Sequence, residues 1–191
     1  MAQQPNCNKK VGKKGKETEL DFPEFKPVDK QAELEAFYSK HILGRDGRPT
    51  AAWQNEHLTR ITPAYPLTLA FPPGSEVTRI LCHKKVADSL AHVFETLLEH
   101  FGSVEEVRRA GMQLFGGCFN FRRITGGSRL SDHAWGVAID IDPDKNPFGV
   151  KHDESKGMMP LAVVAIFEEE GWRWGGRFRR NPDCMHFQAT A

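Results

Sequence analysis

The sequence contains no apolar run that approaches the roughly 20 residues needed to cross a bilayer. Its N-terminal residues also lack the apolar stretch of a secretory signal, because five lysines within residues 1–16 lead into the charged segment ETELDFPEF. These two absences lead us to expect a protein without a transmembrane segment, made in the cytoplasm without a signal peptide.

The net charge of the chain is small, and its cysteines are not arranged in closely spaced pairs. The formal net charge of +1 over 191 residues argues against nucleic acid as a partner, because nucleic-acid binders normally carry a clear basic excess. The four cysteines include no CxxC pair, which argues against both a disulfide framework and a zinc site made of thiolates. We expect these cysteines to be reduced.

The length of the chain suits one ordinary domain with an appended arm. Residues 1–20 carry the N-terminal lysines and little to bury, so we expect a basic, disordered tail. Residues 21–75 are interrupted by many prolines and are predicted to form an irregular arm. Residues 76–191 are predicted to form the functional domain.

Hydrophobic periodicity predicts helices on either side of a few strands. The strongest helical pattern is KKVADSLAHVFETLLEHFG, residues 84–102, in which apolar residues recur at helical spacing and form one stripe. A second helix is predicted from Pro160 to Gly171, and short strands are predicted at 65–71 and 77–81. Because helices and strands do not alternate regularly, the sequence predicts an α+β fold with a small antiparallel sheet flanked by helices.

In the segment GVAIDID, residues 136–142, large apolar residues alternate strictly with alanine or aspartate. Val137, Ile139 and Ile141 point to one side of a strand, and Ala138, Asp140 and Asp142 point to the other. A strand with this pattern that buries its isoleucines presents Asp140 on the opposite face. Gly136 allows the backbone to turn just before the strand, which can bring His133 towards Asp140. The pattern thus predicts a histidine and a carboxylate that converge at one end of a strand.

The C-terminal segment DCMHFQ supplies a second histidine, His186, and a further carboxylate, Asp183, three residues before it. Two histidines and one carboxylate are a common ligand set for catalytic zinc, which lowers the pKa of water to about 7. A nearby carboxylate is then needed as general base, and Asp183 is placed for that role. We therefore predict one zinc ion per chain, bound between strands.

The same ligand types also form the iron site of non-haem oxygenases. In that site the first histidine and the carboxylate typically lie two residues apart on one strand. Here His133 and Asp140 are seven residues apart, across a glycine turn. This spacing disfavours iron.

Together these residues resemble the signature of the zinc D,D-peptidases of the VanY and VanX type. The pattern S-x-H-x-x-G-x-A-x-D is found here from Ser131 to Asp140, and D-x-x-H ends at His186. An arginine about ten residues before the metal motif and a Trp-Gly-Gly element at 174–176 resemble the VanY-like branch. The family includes D-alanyl-D-alanine carboxypeptidases and the L-alanyl-D-glutamate endopeptidases of bacteriophages.

The resemblance implies a role for each residue of the motif. His133, Asp140 and His186 would be the zinc ligands, and Asp183 would be the general base. Arg122 would contact substrate and stabilise the charge on the attacked carbonyl, although the adjacent Arg123 is an alternative for that role. Ser131 would line the site and bind substrate.

The tryptophans of the C-terminal half are candidates for the walls of a peptide groove. Trp174 is our candidate for substrate binding, with burial in the core as the alternative that aromatic residues more often adopt.

The implied function is hydrolysis of an amide bond in the stem peptides of peptidoglycan. Carboxypeptidase and endopeptidase specificities both remain open, as does a phage-type lytic enzyme that acts at the cell wall after release. The alternative is a non-catalytic, zinc-bearing binding module of the cell wall, against which the presence of Asp183 argues. We expect a monomer whose partner is the peptide substrate.

Overall fold

The structure is a computed structural model that describes residues 30–190. The predicted basic tail, residues 1–20, lies outside the described residues. Five α-helices are present in the described part, together with eight strands. The helices are α1 (Gln31–Tyr38), α2 (Ala51–His57), α3 (Ala87–Phe101), α4 (Val104–Arg109) and α5 (Leu161–Glu169), and the strands are β1 (Leu58–Ile61), β2 (Leu67–Leu69), β3 (Glu76–Val77), β4 (Ile80–His83), β5 (Leu114–Gly117), β6 (Ala138–Ile141), β7 (Arg173–Trp174) and β8 (His186–Gln188).

The main sheet has six strands in the order β3-β2-β5-β6-β8-β7, and β1 pairs with β4 in a separate two-stranded sheet. Every pair in the main sheet is antiparallel except β2 with β5. The predicted α+β class is confirmed, with a sheet that is mainly antiparallel. The strand predicted at 77–81 is divided between β3 and β4, which belong to different sheets.

Helix α3 forms from the strongest helical pattern of the sequence. Its apolar stripe is buried, with Leu90, Val93, Phe94 and Leu97 all fully inaccessible to solvent. Gly102 ends the helix at φ 76°, a left-handed conformation that glycine adopts without steric cost. The helix packs against α5, and both helices contribute side chains to the core that also holds the sheet.

The chain before residue 76 contributes to the same core as the chain after it. Strand β2 lies inside the main sheet, where it pairs with β3 and β5. The side chains of Leu34, Tyr38 and Trp53 are buried together with those of α3 and β6. The structure thus gives residues 30–75 regular elements and core contacts, whereas the sequence suggested an irregular arm. The division of the chain at residue 75 stays a prediction.

Within residues 30–190, no helix combines the length and the apolar composition that crossing a membrane requires.

Candidate metal centre and active site

Two antiparallel strands and one short helix place the three candidate ligands. Asp140 on β6 lies directly opposite His186 on β8, so their side chains project from the same face of the sheet. His133 lies on a 3-10 helix, Asp132–Trp135, which ends at Gly136 with φ 69°. A Cβ at Gly136 would lie 3.1 Å from the backbone nitrogen of His83, so the turn that returns the chain to β6 requires glycine.

The three ligand atoms converge on one point. Asp140 Oδ1 lies 2.9 Å from His186 Nδ1 and 3.3 Å from His133 Nε2. The two ring nitrogens are 3.2 Å apart. His133, Asp140 and His186 thus form a cluster whose ligand atoms all lie within 4.8 Å of one another. This compact set of two imidazole nitrogens and one carboxylate oxygen suits zinc.

The outer nitrogen of each imidazole is bound to an oxygen acceptor. His133 Nδ1 donates to the backbone oxygen of Cys118 at 2.7 Å, and His186 Nε2 donates to Gln188 Oε1 at 3.1 Å. Because the outer nitrogens carry the protons in this arrangement, the inner nitrogens are left with free lone pairs. Such outer contacts fix both the tautomer and the orientation of metal-binding histidines.

Burial and charge act in opposite directions on this cluster. Burial alone would raise the pKa of Asp140, but the charges of His133 and His186 and their hydrogen bonds lower that pKa well below its usual value. Burial lowers the pKa of His186, yet its hydrogen bond to Asp140 and the charge of that carboxylate raise the pKa overall. An ionised carboxylate beside two buried imidazoles favours a cation at this point, and a metal ion can take that position.

The cluster opens onto a cavity of about 330 Å³, and Asp183 lines the same cavity. The turn before β8 holds Asp183 in place, since its backbone nitrogen donates to the backbone oxygen of Gly175 at 2.9 Å and its backbone oxygen accepts from His186 at 3.1 Å. Asp183 Oδ1 is buried and has no hydrogen-bond partner among the described residues. Burial, reinforced by the charge of Asp140, raises the pKa of Asp183.

The two candidate arginines differ in their position relative to the metal centre. Arg122 lines the cavity that holds Asp183, and its charge acts to lower the pKa of that carboxyl. Arg123 does not line this cavity, and its Nη1 donates to the backbone oxygen of Ser128. The structure therefore brings Arg122, and not Arg123, to the candidate metal centre.

Ser131 and Trp174 occupy contrasting positions. Ser131 lines the cavity, and its backbone nitrogen donates to the backbone oxygen of Arg122 at 2.9 Å. Trp174 is almost fully buried, and its indole Nε1 donates to the backbone oxygen of Cys184 at 2.9 Å. Trp174 lies outside the cavity lining and supports the turn between Asp183 and His186 from behind.

A chain of polar side chains behind His186 was not predicted from the sequence. Gln188 Nε2 donates to Thr190 Oγ1, which donates in turn to Asp132 Oδ2 at 3.3 Å. Both Asp132 and Thr190 are buried. The alternation of side chains along a strand could have indicated Gln188, because this residue lies two positions after His186 and therefore shares its face of the strand. The contact with Asp132 joins distant segments, and no local pattern indicates it.

A comparison with known families matches residues 125–189 to the D-alanyl-D-alanine carboxypeptidase family. The resemblance inferred from the sequence is confirmed over these residues, which include His133, Asp140, Asp183 and His186. Arg122 precedes the matched segment. At the level of the family, the match supports a metallopeptidase with a peptide substrate. No curated protein and no solved structure showed significant similarity to the chain.

Proposed function

We propose that the protein is a zinc-dependent peptidase that hydrolyses an amide bond in the stem peptides of peptidoglycan. One observation carries the proposal: three converging ligand atoms share a cavity with the carboxylate of Asp183, whose buried Oδ1 has no partner among the described residues. A buried polar group without a partner is costly, and such groups are frequent at catalytic sites.

The donor set fits zinc, with His133 Nε2, Asp140 Oδ1 and His186 Nδ1 as ligands. Zinc held there would supply a Lewis acid that polarises a substrate carbonyl and acidifies water. The contacts from Cys118 and Gln188 keep both rings oriented for this role.

Asp183 would act as the general base and then as the general acid. Its Oδ1 has no competing hydrogen bond among residues 30–190, so this atom is free to accept a proton from the attacking water. The raised pKa of Asp183 brings its proton affinity closer to what transfer at neutral pH requires. The carboxyl then delivers the proton to the nitrogen of the leaving amine as the amide bond breaks.

Arg122 would bind the oxygen of the attacked carbonyl, because this residue lines the same cavity as Asp183 and its charge acts on that carboxyl. A fixed positive charge aimed at an oxygen that becomes negative in the transition state accelerates amide hydrolysis. Ser131 would line the neighbouring part of the cavity and hydrogen-bond the peptide backbone.

The test is digestion of purified peptidoglycan by the wild-type protein, with mass spectrometry of the released products. We expect cleavage that stops when a chelator removes the metal and returns when zinc is restored. Release of D-alanine would identify a carboxypeptidase, whereas a new amino terminus on D-glutamate would identify an endopeptidase. The variant Asp144→Asn changes an exposed carboxylate outside the cavity lining and should cleave as the wild type does.

Zinc binding without cleavage of any wall peptide would contradict the catalytic proposal. It would favour the non-catalytic binding module instead.

A further inference from the structure

A second cavity, of about 590 Å³, adjoins the candidate active site. It lies between helix α1, the loop at 40–48 and the segment at 121–130. Arg122 lines both cavities, so the two cavities are neighbours at this residue. Most of its lining residues precede residue 125, where the matched family segment begins.

The lining of the second cavity carries an excess of positive charge. Four of the lining residues are cationic at neutral pH and two are acidic, which gives a formal charge of +2. The cations are Lys40, Arg48, Arg122 and Arg123, and the acids are Glu35 and Asp46. None of the four cations forms an ion pair within 4.0 Å among the described residues.

Both acids of the lining already accept hydrogen bonds from neighbouring residues. Glu35 Oε1 accepts from Gln31 Nε2 at 2.8 Å, and Asp46 Oδ1 accepts from the backbone nitrogen of Arg48 at 3.1 Å. Neither carboxylate lies within 4.0 Å of a cationic nitrogen of the lining, so within residues 30–190 no counter-charge contacts these cations. An anionic ligand group would supply one.

His41 connects the lining of the second cavity to the segment that carries His133. The ring of His41 packs against Trp53 and Trp135, with ring centres 4.3 Å and 4.6 Å away, and against Phe121 at 4.9 Å. His41 Nε2 contacts the backbone oxygen of Ala134 at 2.8 Å, within the 3-10 helix that carries His133. These contacts tie the lining of the second cavity to the segment that carries a candidate ligand.

We propose that this second cavity binds a free carboxylate of the peptide substrate, next to the part of the substrate that the metal centre holds. The inference rests on the proposed function, because it concerns the same substrate at a neighbouring position. Phe121 and Leu43 offer apolar surface to the aliphatic parts of the peptide, and Lys40 and Arg48 offer charge to its carboxylate. The segment before residue 76 would thus determine which peptides the enzyme accepts.

The test uses two synthetic stem peptides that differ only at the α-carboxyl of D-glutamate, which is free in one and amidated in the other. Binding is measured by calorimetry to the full chain with Asp183→Asn, which prevents cleavage during the titration. We expect the free acid to bind roughly three- to tenfold more tightly, the range for one or two solvent-exposed ion pairs. Added salt should reduce this preference.

The double variant Lys40→Glu, Arg48→Glu in the same background should abolish the preference for the free acid. The matched control is Arg79→Glu, a charge reversal at an exposed arginine that lines neither cavity, and it should retain the preference. Equal affinities, a preference that survives the double variant, or no binding of either peptide would overturn the inference.

Failure of the proposed function gives a different result. A wild-type protein that cleaves both peptides but does not distinguish them retains the function and loses the second site. A protein that binds the acid preferentially through Lys40 and Arg48 but cleaves neither peptide retains the site and loses the function.

Discussion

His186 and Gln188 lie on the same face of β8, and the Nε2 of the histidine is 3.1 Å from the Oε1 of the glutamine. This contact makes Gln188 a positioning residue for the candidate metal ligand. Thr190 and Asp132 hold the amide of Gln188 from the other side. These contacts hold Gln188 Oε1 so that it faces the imidazole of His186.

The first prediction is that Gln188→Ala weakens zinc binding. Loss of the acceptor frees the ring and its tautomer, and changes of this kind lower metal affinity by roughly 10- to 100-fold. Competition with a chromophoric chelator measures the affinity directly. Gln113→Ala is the control, because its Oε1 accepts from the exposed Arg108, away from the metal centre. An unchanged zinc affinity in Gln188→Ala would show that the contact does not position His186.

The second prediction concerns Gly175, which packs against the general-base candidate. A Cβ at this position would lie 2.6 Å from the backbone oxygen of Asp183 and 3.2 Å from its Cβ. Gly175→Ala must therefore displace Asp183, and displacement of a catalytic group by about 1 Å can lower the rate by roughly 100-fold. We expect reduced kcat on a peptide substrate with zinc content unchanged.

Gly74→Ala is the control for the general effect of replacing glycine. Gly74 has φ 97°, and a Cβ added to it would meet no atom within 4 Å, so the change strains an exposed turn without reaching the site. Its kcat should equal that of the wild type. If Gly175→Ala also retained full kcat, the position of Asp183 would not matter for the reaction.

The third prediction concerns the stability of the fold at acidic pH. Burial lowers the pKa of His83 to about 4, and the neutral ring bonds the backbone oxygen of Tyr38 and the backbone nitrogen of Lys85. The unfolded chain binds a proton at His83 below about pH 6.5, whereas the folded chain does so only near pH 4. Stability is therefore lost as the pH falls through this interval, by about 3 kcal/mol from this residue.

Urea denaturation of the wild type and of His83→Gln between pH 4.5 and 7.5 measures this contribution. Glutamine keeps a donor for Tyr38 but does not titrate, so the variant should lose less stability on acidification although it is less stable at pH 7.5. Titrating groups that do not interact with His83 act equally on both proteins, so the difference between the two profiles reports His83 together with its charge interactions with His57 and His41. Parallel pH profiles would contradict the prediction.

The fourth prediction tests whether residues 30–75 share one core with the rest of the chain. Trp53 is fully buried, and its Nε1 donates to the backbone oxygen of Lys40 at 3.0 Å. Trp53→Ala should lower the free energy of unfolding by about 3–5 kcal/mol, because it leaves a cavity in the shared core. Leu161→Ala, at a half-exposed helix position, should cost less than about 0.5 kcal/mol. A small effect at Trp53 would indicate that residues 30–75 fold as a separate arm.

The sequence indicated the metal cluster because its signals are local. Strand alternation placed Asp140 on one face, and the glycine turn brought His133 back to it. Pairing of β6 with β8 joins residues more than 40 positions apart, and the sequence pointed to it only through the ligand types and the family resemblance. The D-alanyl-D-alanine carboxypeptidase match confirms that resemblance for residues 125–189.

The features that the sequence did not indicate depend on contacts between distant segments. Strand β2 enters the main sheet by a parallel pairing with β5, and no local pattern specifies that partner. Which of Arg122 and Arg123 faces the cavity depends on the path of the loop rather than on composition. The aromatic character of Trp174 suits a groove wall and a buried support equally well, and only its surroundings distinguish the two.

We expect Asp140 to bind the metal and Asp183 to carry the proton. The most direct measurement is zinc content and peptidoglycan cleavage in parallel for the wild type, Asp140→Asn and Asp183→Asn. We predict one zinc per active wild-type chain, loss of both zinc and activity in Asp140→Asn, and retained zinc with at least a roughly 100-fold loss of activity in Asp183→Asn. Full activity in Asp183→Asn, or zinc bound at wild-type affinity in Asp140→Asn, would contradict the account.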